Sequence, residues 1–359
     1  MSRMKRYMQH WCWKFALGSW LVMGSAIGEA VLQTFAFSVN CAFAQITPDS
    51  TLPNNSRVTT QDNISTIEGG TQAGRNLFHS FQKFSVPTGG TAIFNNAADI
   101  QNIISRVTGG SASNIDGIIG ANGTANLFLI NPNGIIFGQN AQLNIGGSFI
   151  GTTANALQFG NQGFFSASNP NTPPLLTVNP SALLFNQITS QPVNSIESQG
   201  FLSVPDSKSL LLVGGKISPT LTATGAILNE GSLFAPSGRV ELGGLTAAGT
   251  VGLNVEGNSL SLSFPDGVTL ADVALTNPAL INVSGDGGSI AINARNLDIL
   301  GGSLLAGIGS DRGSVNTQAG DITLNATGAM TVASSSENFF SKIFNVLDEN
   351  AVGKGGDIN

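Results

Sequence analysis

The sequence predicts an all-β protein whose body is a parallel β-helix, a solenoid of stacked coils, with short extra-helical β-hairpins and loops. Three observations favour this fold. Apolar segments of about five residues recur between Gly, Asn and Pro along the chain. Charged residues make up only 10% of the 359 residues. A pattern of Gly, then Ser or Asp, then Ile also repeats towards the end of the chain, as stacked repeats require.

The composition excludes most ordinary globular enzymes. Charged residues normally approach a quarter of a soluble domain, whereas this chain has 10%, with 45 Gly and 21 Phe. Low charge with abundant Gly is compatible with disorder, but disordered chains lack β-branched and aromatic residues. Here Ile, Val, Leu and Phe recur throughout the chain. A packed, turn-rich β structure is therefore expected.

The N-terminus has the pattern of a secretory signal peptide. Four basic residues and no acid stand in the first 14 positions, and an apolar stretch follows. It ends in Ala42-Phe43-Ala44 before Gln45, an A-x-A cleavage site. We therefore predict a signal peptide over residues 1–44. Glu29 within the apolar stretch disfavours a membrane anchor.

Removal of this leader changes both charge and thiol content. Cys12 and Cys41 precede the cut, so the mature chain has no cysteine. The leader holds four of the 15 basic residues and one of the 21 acids, which leaves 11 basic, 20 acidic and a net charge of −9. Without a basic run to neutralise phosphates, nucleic acid and anionic membranes are not expected as partners. A chain without disulfides also suits passage through a narrow pore in an unfolded state.

The mature chain divides into three zones without an obvious flexible linker. The first is dense in short strand-like segments such as Asn126–Ile130 and Ile135–Phe137. The second begins with a Pro- and Asn-rich passage, 166–185, whose prolines predict a surface loop or an edge segment. The third is repetitive. The predicted bounds are 45–160 for the first zone, 161–284 for a β-helix continuation and 285–359 for β-helix repeats.

The repeats have a spacing that suits one coil each. Ile290 and Ile322 occupy the same place in two copies 32 residues apart, and Ile358 opens another copy 36 residues later. The last copy stops near its start, which indicates a truncated chain. Irregular strand spacing and these copies favour a solenoid over a β-sandwich. One segment, 334–349, has apolar residues four apart and predicts a helical insertion packed on the solenoid through Phe339, Ile343 and Leu347.

The most specific short segment is Asn131-Pro132-Asn133-Gly134-Ile135, between two apolar strands. Pro132 presets φ at the second turn position, Asn133 tolerates the third, and Gly134 relieves strain at the fourth. The side chain of Asn131 can accept a bond from the backbone that follows it, as an Asx-turn. Taken alone, this motif predicts an ordinary tight turn.

Behind a signal peptide, the same motif resembles the hallmark of the two-partner secretion (TPS) domain at the N-terminus of filamentous-haemagglutinin-like proteins. Cyanobacterial members look most similar. The chain lacks the second motif of the NPNL type, so no site is carried over for it. The other segments that resemble this family are Ser148–Phe159, Leu210–Ile217, Ala235–Leu245 and Gly249–Leu253.

The resemblance implies a specific biology. Residues 45–160 would be the TPS domain, recognised by a partner transporter, an outer-membrane β-barrel with periplasmic domains. The chain would cross the periplasm, pass the barrel and fold outside into a right-handed β-helix, secreted or held at the cell surface. In the family the motif is needed for secretion, so Asn131 and Asn133 are assigned either recognition or turn nucleation. An adhesin or haemagglutinin-like role towards an unknown glycan or protein ligand is implied.

Little in the mature chain suggests catalysis. It has no Cys, no Tyr and one His, His79, whose apolar neighbours predict a packed or surface residue rather than a base. Metal-ligand spacing is missing, so no catalytic residue, metal or cofactor is expected. Two alternatives stay open. A polysaccharide-degrading β-helix enzyme would need Asp and basic residues clustered in one groove, and a contact-dependent toxin exoprotein would need a further C-terminal domain.

Overall fold

The computed structural model describes residues 46–171, 173–186, 195–219, 231–257, 259–276, 279–337 and 340–359. Within these ranges the chain forms strands and turns and no helix. The strands are β1 (Thr47–Pro48), β2 (Ser56–Gln61), β3 (Ile64–Gly69), β4 (Thr71–Ala73), β5 (Asn76–Lys83), β6 (Thr91–Phe94), β7 (Asn102–Val107), β8 (Ser113–Ile115), β9 (Ile118–Ala121), β10 (Asn126–Ile130), β11 (Ile135–Phe137), β12 (Gln142–Asn144), β13 (Phe149–Thr152), β14 (Ala156–Gln158), β15 (Phe164–Ser166), β16 (Ala182–Phe185) and β17 (Ile196–Ser198). They continue with β18 (Leu202–Ser203), β19 (Ser209–Val213), β20 (Lys216–Pro219), β21 (Ser232–Phe234), β22 (Arg239–Gly243), β23 (Gly249–Glu256), β24 (Ser259–Ser263), β25 (Asp272–Thr276), β26 (Leu280–Asn282), β27 (Asp286–Ala294), β28 (Leu297–Leu300), β29 (Ser303–Ile308), β30 (Gly313–Gln318), β31 (Ile322–Ala326), β32 (Met330–Ala333), β33 (Lys342–Leu347) and β34 (Val352–Lys354).

The predicted leader lies outside the described residues, together with its cleavage residues Ala42, Ala44 and Gln45. In the part of the chain that the structure describes, no helix has the length and apolarity needed to cross a membrane.

The strands stack as coils of a parallel β-helix. A main parallel sheet contains β5, β7, β10, β13, β19, β22, β27 and β31, which open the first to the eighth coil in that order. A second parallel sheet runs β8-β11-β17-β20-β25-β28-β32. A third face carries β6, β9 and β12, then β18, β21, β26, β29 and β33. The chain visits the faces in turn, as from β7 through β8 to β9. The predicted solenoid is thereby confirmed.

The repeat spacing corresponds to single coils. Ile290 pairs with Ile322 in parallel register, and Ile322 forms a parallel bridge with Ile358. Each pair therefore joins the same position in successive coils. The backbone groups of one coil bond to those of the next coil, whose strand lies about 4.8 Å from its own. The spacings of 32 and 36 residues predicted this stacking correctly.

The main sheet is buried on both of its faces in the early coils. Strand β10 reads NLFLI and all five residues are buried, a continuous apolar run typical of a strand covered on both sides. Leu127 and Leu129 belong to the core inside the coils. Phe128 and Ile130 face a second core, which lies under an extra-helical antiparallel sheet of order β15-β14-β16-β23-β24.

Part of the proline-rich passage differs from its prediction. Its last four residues, Ala182–Phe185, form β16, which pairs with β14 on one side and β23 on the other. This strand therefore lies inside its sheet and not at an edge. The physical reason is that the prolines all precede it, so the ALLF segment keeps its backbone N–H donors for both neighbours.

The helix predicted over residues 334–349 is wrong. Lys342–Leu347 forms β33, which pairs with β29 in parallel, with Ile343 opposite Leu304. Phe339 lies outside the described residues. The four-residue spacing of Ile343 and Leu347 favours a helix only weakly. The preceding coil offers backbone hydrogen bonds along the whole strand, and these stabilise the extended conformation more strongly. Tertiary stacking therefore overrides the local pattern.

The second core gives a stability prediction. Replacement of the fully buried Phe128 by Ala should lower the free energy of unfolding by about 3–5 kcal/mol, since it removes a ring from a closed apolar site. Phe344→Ala is the matched control, because that ring is 45% exposed, and it should change stability by less than about 1 kcal/mol. Urea unfolding of both proteins measures the difference. Equal losses of unfolding free energy in the two variants would show that burial of Phe128 in the second core stabilises the protein no more than the partly exposed ring of Phe344 does.

Candidate functional site

The predicted motif forms the corner between β10 and β11 in the third coil. The carbonyl oxygen of Asn131 accepts a bond from the Gly134 N–H at 3.1 Å, which closes a β-turn. The Asn133 N–H donates to Asn131 Oδ1 at 2.9 Å, which is the predicted Asx-turn. Gly134 has a φ of 108°, a conformation that only glycine adopts without strain. The local geometry is thus the one expected from these residue types.

The side chains of this turn bond to the corresponding corner of the second coil. Asn131 Nδ2 donates to Ser113 Oγ at 2.9 Å and to the Ser111 carbonyl at 3.1 Å. Asn133 Nδ2 donates to the Gly109 carbonyl at 2.6 Å. On the other side, the Asn131 N–H donates to the Thr152 carbonyl of the fourth coil at 2.9 Å. The turn therefore joins three successive coils.

Burial distinguishes the members of the motif. Asn131 and Ile135 have 0% exposure, whereas Pro132 and Asn133 are half-buried. A buried amide without a partner costs about 1–3 kcal/mol, and here the amide of Asn131 is fully engaged. In the folded protein the side chain of Asn131 is inaccessible to another protein. Any contact between it and a partner has to precede closure of the coil.

A second buried polar network was missed in the sequence. Arg106 on β7 is fully buried and donates to Ser80 Oγ at 2.9 Å, the Ser166 carbonyl at 2.8 Å and Thr51 Oγ1 at 2.8 Å. Its guanidinium also lies 4.2 Å from the centre of the Phe165 ring. The network ties the first two coils to the segment before them and to the extra-helical sheet. The only signal in the sequence was a single charge within the apolar strand NIISRV.

Asp49 provides the negative charge of this network. It accepts bonds from the hydroxyls of Ser80, Thr51 and Thr108, each at 2.7 Å. Burial pushes the pKa of Asp49 upwards, but the hydrogen bonds outweigh it and the pKa lies below its ordinary value. Burial lowers the pKa of Arg106 to about 10, against the opposing effect of the Asp49 charge. Both groups stay charged at neutral pH.

His79 is a packed residue, which is one of the two environments, packed or surface, that its apolar neighbours predicted. It is 1% exposed, its Nδ1 lies 3.0 Å from Ser56 Oγ, and its ring lies 5.2 Å from that of Phe94. Burial lowers the pKa of His79 to about 3, so the ring is neutral at neutral pH. Among the described residues, no three His, Cys, Asp or Glu side chains come close enough to hold a metal ion.

The stacked coils, the corner at 131–134 and the antiparallel sheet over the early coils define a β-helix protein with an extra-helical sheet. A model of the TPS secretion domain matches residues 44–292, which is more than half of the chain. The chain therefore belongs to the TPS secretion domain family, and the predicted resemblance is confirmed. It is a two-partner secretion exoprotein.

Individual relatives cover different shares of the chain. The heme/hemopexin-binding protein of Haemophilus influenzae is 34% identical over 110 residues, which is 29% of this chain and 11% of that protein. The HMW1 secretion domain from Haemophilus influenzae is 15% identical with a TM-score of 0.49, covering 88% of this chain and 100% of that one. The filamentous hemagglutinin secretion domain is 14% identical with a TM-score of 0.44, covering 83% and 99%.

The buried imidazole predicts a pH dependence. An unfolded chain protonates His79 near pH 6.5, whereas the folded chain resists protonation down to about pH 3. Protons therefore favour the unfolded state between these values, and stability decreases as the pH falls through this window. From pH 7 to pH 5 the loss should be about 2 kcal/mol. Urea unfolding at both pH values measures it. His79→Gln should remove most of this loss, and an unchanged pH dependence in that variant would contradict the assignment.

Proposed function

We propose that residues 1–44 are a cleaved signal peptide and that the partner transporter is an outer-membrane β-barrel with periplasmic domains. The chain then crosses the periplasm and folds outside the cell, where it is released or stays at the surface. The observation that carries this proposal is the family match, which begins at residue 44, next to the predicted cleavage after Ala44. The proposed bounds stay 45–160 for the secretion domain, 161–284 for its continuation and 285–359 for the repeats. The match extends across the first two.

The motif at 131–135 is proposed to act twice. Before folding, the extended chain can add to an exposed sheet edge of the transporter through its main-chain groups, with side chains at alternate positions giving specificity. In that state Asn131 is accessible. After export the same side chain closes the corner against Ser113 and becomes buried. Burial of Asn131 in the folded protein supports recognition of an unfolded chain.

Folding outside the cell would make export unidirectional. Each coil satisfies its backbone groups against the coil that already exists, so stacking proceeds from the first formed end. A coil that has folded cannot return through a narrow pore. The mature chain has no cysteine that could close a loop before export. These properties support a translocated, late-folding chain.

The role outside the cell is proposed to be adhesion through a surface ligand, a glycan or a protein, without catalysis. The only histidine of the mature chain supports this, because it is buried and neutral and unsuited to act as a base. The alternatives remain a polysaccharide-degrading enzyme and the N-terminal part of a toxin exoprotein. A toxin activity would require a further domain beyond Asn359.

Export of corner variants tests the role of the motif. Asn131→Ala and Gly134→Ala should accumulate in the periplasm when the partner transporter is co-expressed. Asn131→Ala loses the side-chain amide that makes the Asx-turn. Gly134→Ala adds a Cβ to a residue with a φ of 108°. Immunoblots of periplasm and medium measure the distribution. Asn144→Ala, an exposed position of the same coil, is the control and should be exported normally. Normal export of both corner variants would refute the role.

A third variant separates recognition from corner formation. Ser113→Ala removes one of the two acceptors of Asn131 Nδ2 in the folded protein, leaves the Ser111 carbonyl as the other, and does not change the motif itself. We expect normal export, because the transporter meets the motif before the coil closes. The exported protein should be less stable by about 1–3 kcal/mol, since a buried amide loses a bond. Periplasmic retention equal to that of Asn131→Ala would show that corner formation, and not recognition, limits export.

A further inference from the structure

One column of polar side chains runs along the outer face of the main sheet at the start of each strand. The parallel register assigns one member to every coil. In order, the column is Asn76, Asn102, Asn126, Ser148, Ser209, Arg239, Ser289, Asp321 and Asp357.

The first part of the column is structural. Asn102 Nδ2 donates to Asn76 Oδ1 at 2.9 Å, and Asn126 Nδ2 donates to Asn102 Oδ1 at 3.0 Å. The extra-helical segments cover this part, because Asn76 Nδ2 also donates to the Val178 carbonyl and Asn126 Nδ2 to the Gly257 carbonyl. These members are buried and their hydrogen bonds are made within the protein. They offer nothing to a ligand.

The column emerges from this cover at the sixth coil. Glu241 Oε2 accepts the Leu262 N–H at 2.7 Å, which holds strand β24 over the sixth coil. From Arg239, whose side chain is 40% exposed, the column reaches Asp321 and Asp357, which are exposed. These three residues line one groove of about 610 Å³, and the remaining lining residues are Gly287, Ser289, Ile290, Ala291, Gln318, Ala319, Gly320 and Thr323.

The chemistry of the groove indicates a polyhydroxylated ligand. Guanidinium and carboxylate groups can each form bidentate hydrogen bonds. Arg239 Nη1 is held by Glu241 Oε1 at 2.9 Å, which fixes the guanidinium at the groove. Ser289 adds a hydroxyl, and Gln318, whose Nε2 donates to the Gly355 carbonyl, adds an amide oxygen. Gly287 and Gly320 lie so close to the backbone of Gln318 and Gly288 that neither position has room for a Cβ, so no side chain projects from these two positions of the lining. One polar side chain per coil, about 4.8 Å apart, gives a periodic row that suits a polymer with hydroxyl groups at regular intervals.

Charge narrows the class of polymer. Two carboxylates and one guanidinium line the groove, and the mature chain carries a net charge of −9. A polyanionic glycan would be repelled. We propose that the row Arg239, Ser289, Asp321 and Asp357 binds a neutral polysaccharide. This inference rests on the proposed adhesive function and assigns its ligand class; it involves binding and no bond cleavage.

The test compares two tryptophan variants of the 359-residue chain. Thr323→Trp places a large ring in the groove, whereas Thr331→Trp places the same ring on an exposed strand of the same coil outside it. Protein from the medium, or protein purified from the cells and refolded if export fails, is run in native gels that contain dextran, galactomannan or hydroxyethyl cellulose. Dextran sulfate is the polyanionic comparison. At least one neutral polymer should retard the wild type and Thr331→Trp, and Thr323→Trp should bind it at least tenfold more weakly.

Three results would overturn the proposal: no retardation by any neutral polymer, retardation by dextran sulfate alone, or equal retardation of the two tryptophan variants. The distribution of the same proteins between periplasm and medium reports the proposed export separately. Normal export without polysaccharide binding would contradict the proposed ligand and would still support the proposed secretion function. Polysaccharide binding without export would support the proposed ligand and would contradict the proposed secretion function.

Discussion

Parallel stacking of one coil on the next is the constraint on which the structure depends. Inside the main sheet a strand has its backbone partners in the coils before and after it, as β10 has in β7 and β13. No coil can satisfy its own N–H and C=O groups or bury its own apolar face. Order therefore spreads from coil to coil. This property suits the proposed secretion route, in which the chain would travel unfolded and gain structure outside.

Buried polar groups mark the joints of this stack. The amide of Asn131 joins the second, third and fourth coils, and Arg106 joins the first coils to the extra-helical sheet. Each buried donor in these joints has an acceptor in another coil or in a covering segment. Since an unpaired buried group costs about 1–3 kcal/mol, misregistered coils would be unfavourable at these positions. The joints thus select one register for a sheet whose apolar columns alone would tolerate several.

The extra-helical sheet covers the outer face of the main sheet over the early coils and leaves that face uncovered over the later ones. Over the early coils it closes a second apolar core that contains Phe128, and it satisfies the Asn column with its own backbone. From the sixth coil the same column emerges into a polar groove. The position of one antiparallel sheet therefore decides whether a repeated polar position serves stability or is available to a ligand.

The sequence by itself determined the coil. The apolar run Asn126–Ile130 between turn residues gave the strand with the correct bounds, because local punctuation by Asn, Gly and Pro is strong there. The NPNG turn followed from the conformational preferences of its own residues. The copies of Gly, Ser or Asp, and Ile predicted the register of Ile290 and Ile322. These features depend on interactions within a few residues or on exact repetition, which a sequence displays directly.

Only the tertiary structure decided the rest. Strand β33 replaces the predicted helix because the preceding coil offers a row of backbone partners that the local spacing does not reveal. Arg106 and Asp49 meet across 57 positions, and Arg239, Asp321 and Asp357 meet across more than 100, so no spacing rule indicates either group. Coil lengths vary with the extra-helical insertions, and the residues that share one face are fixed only when the coils stack.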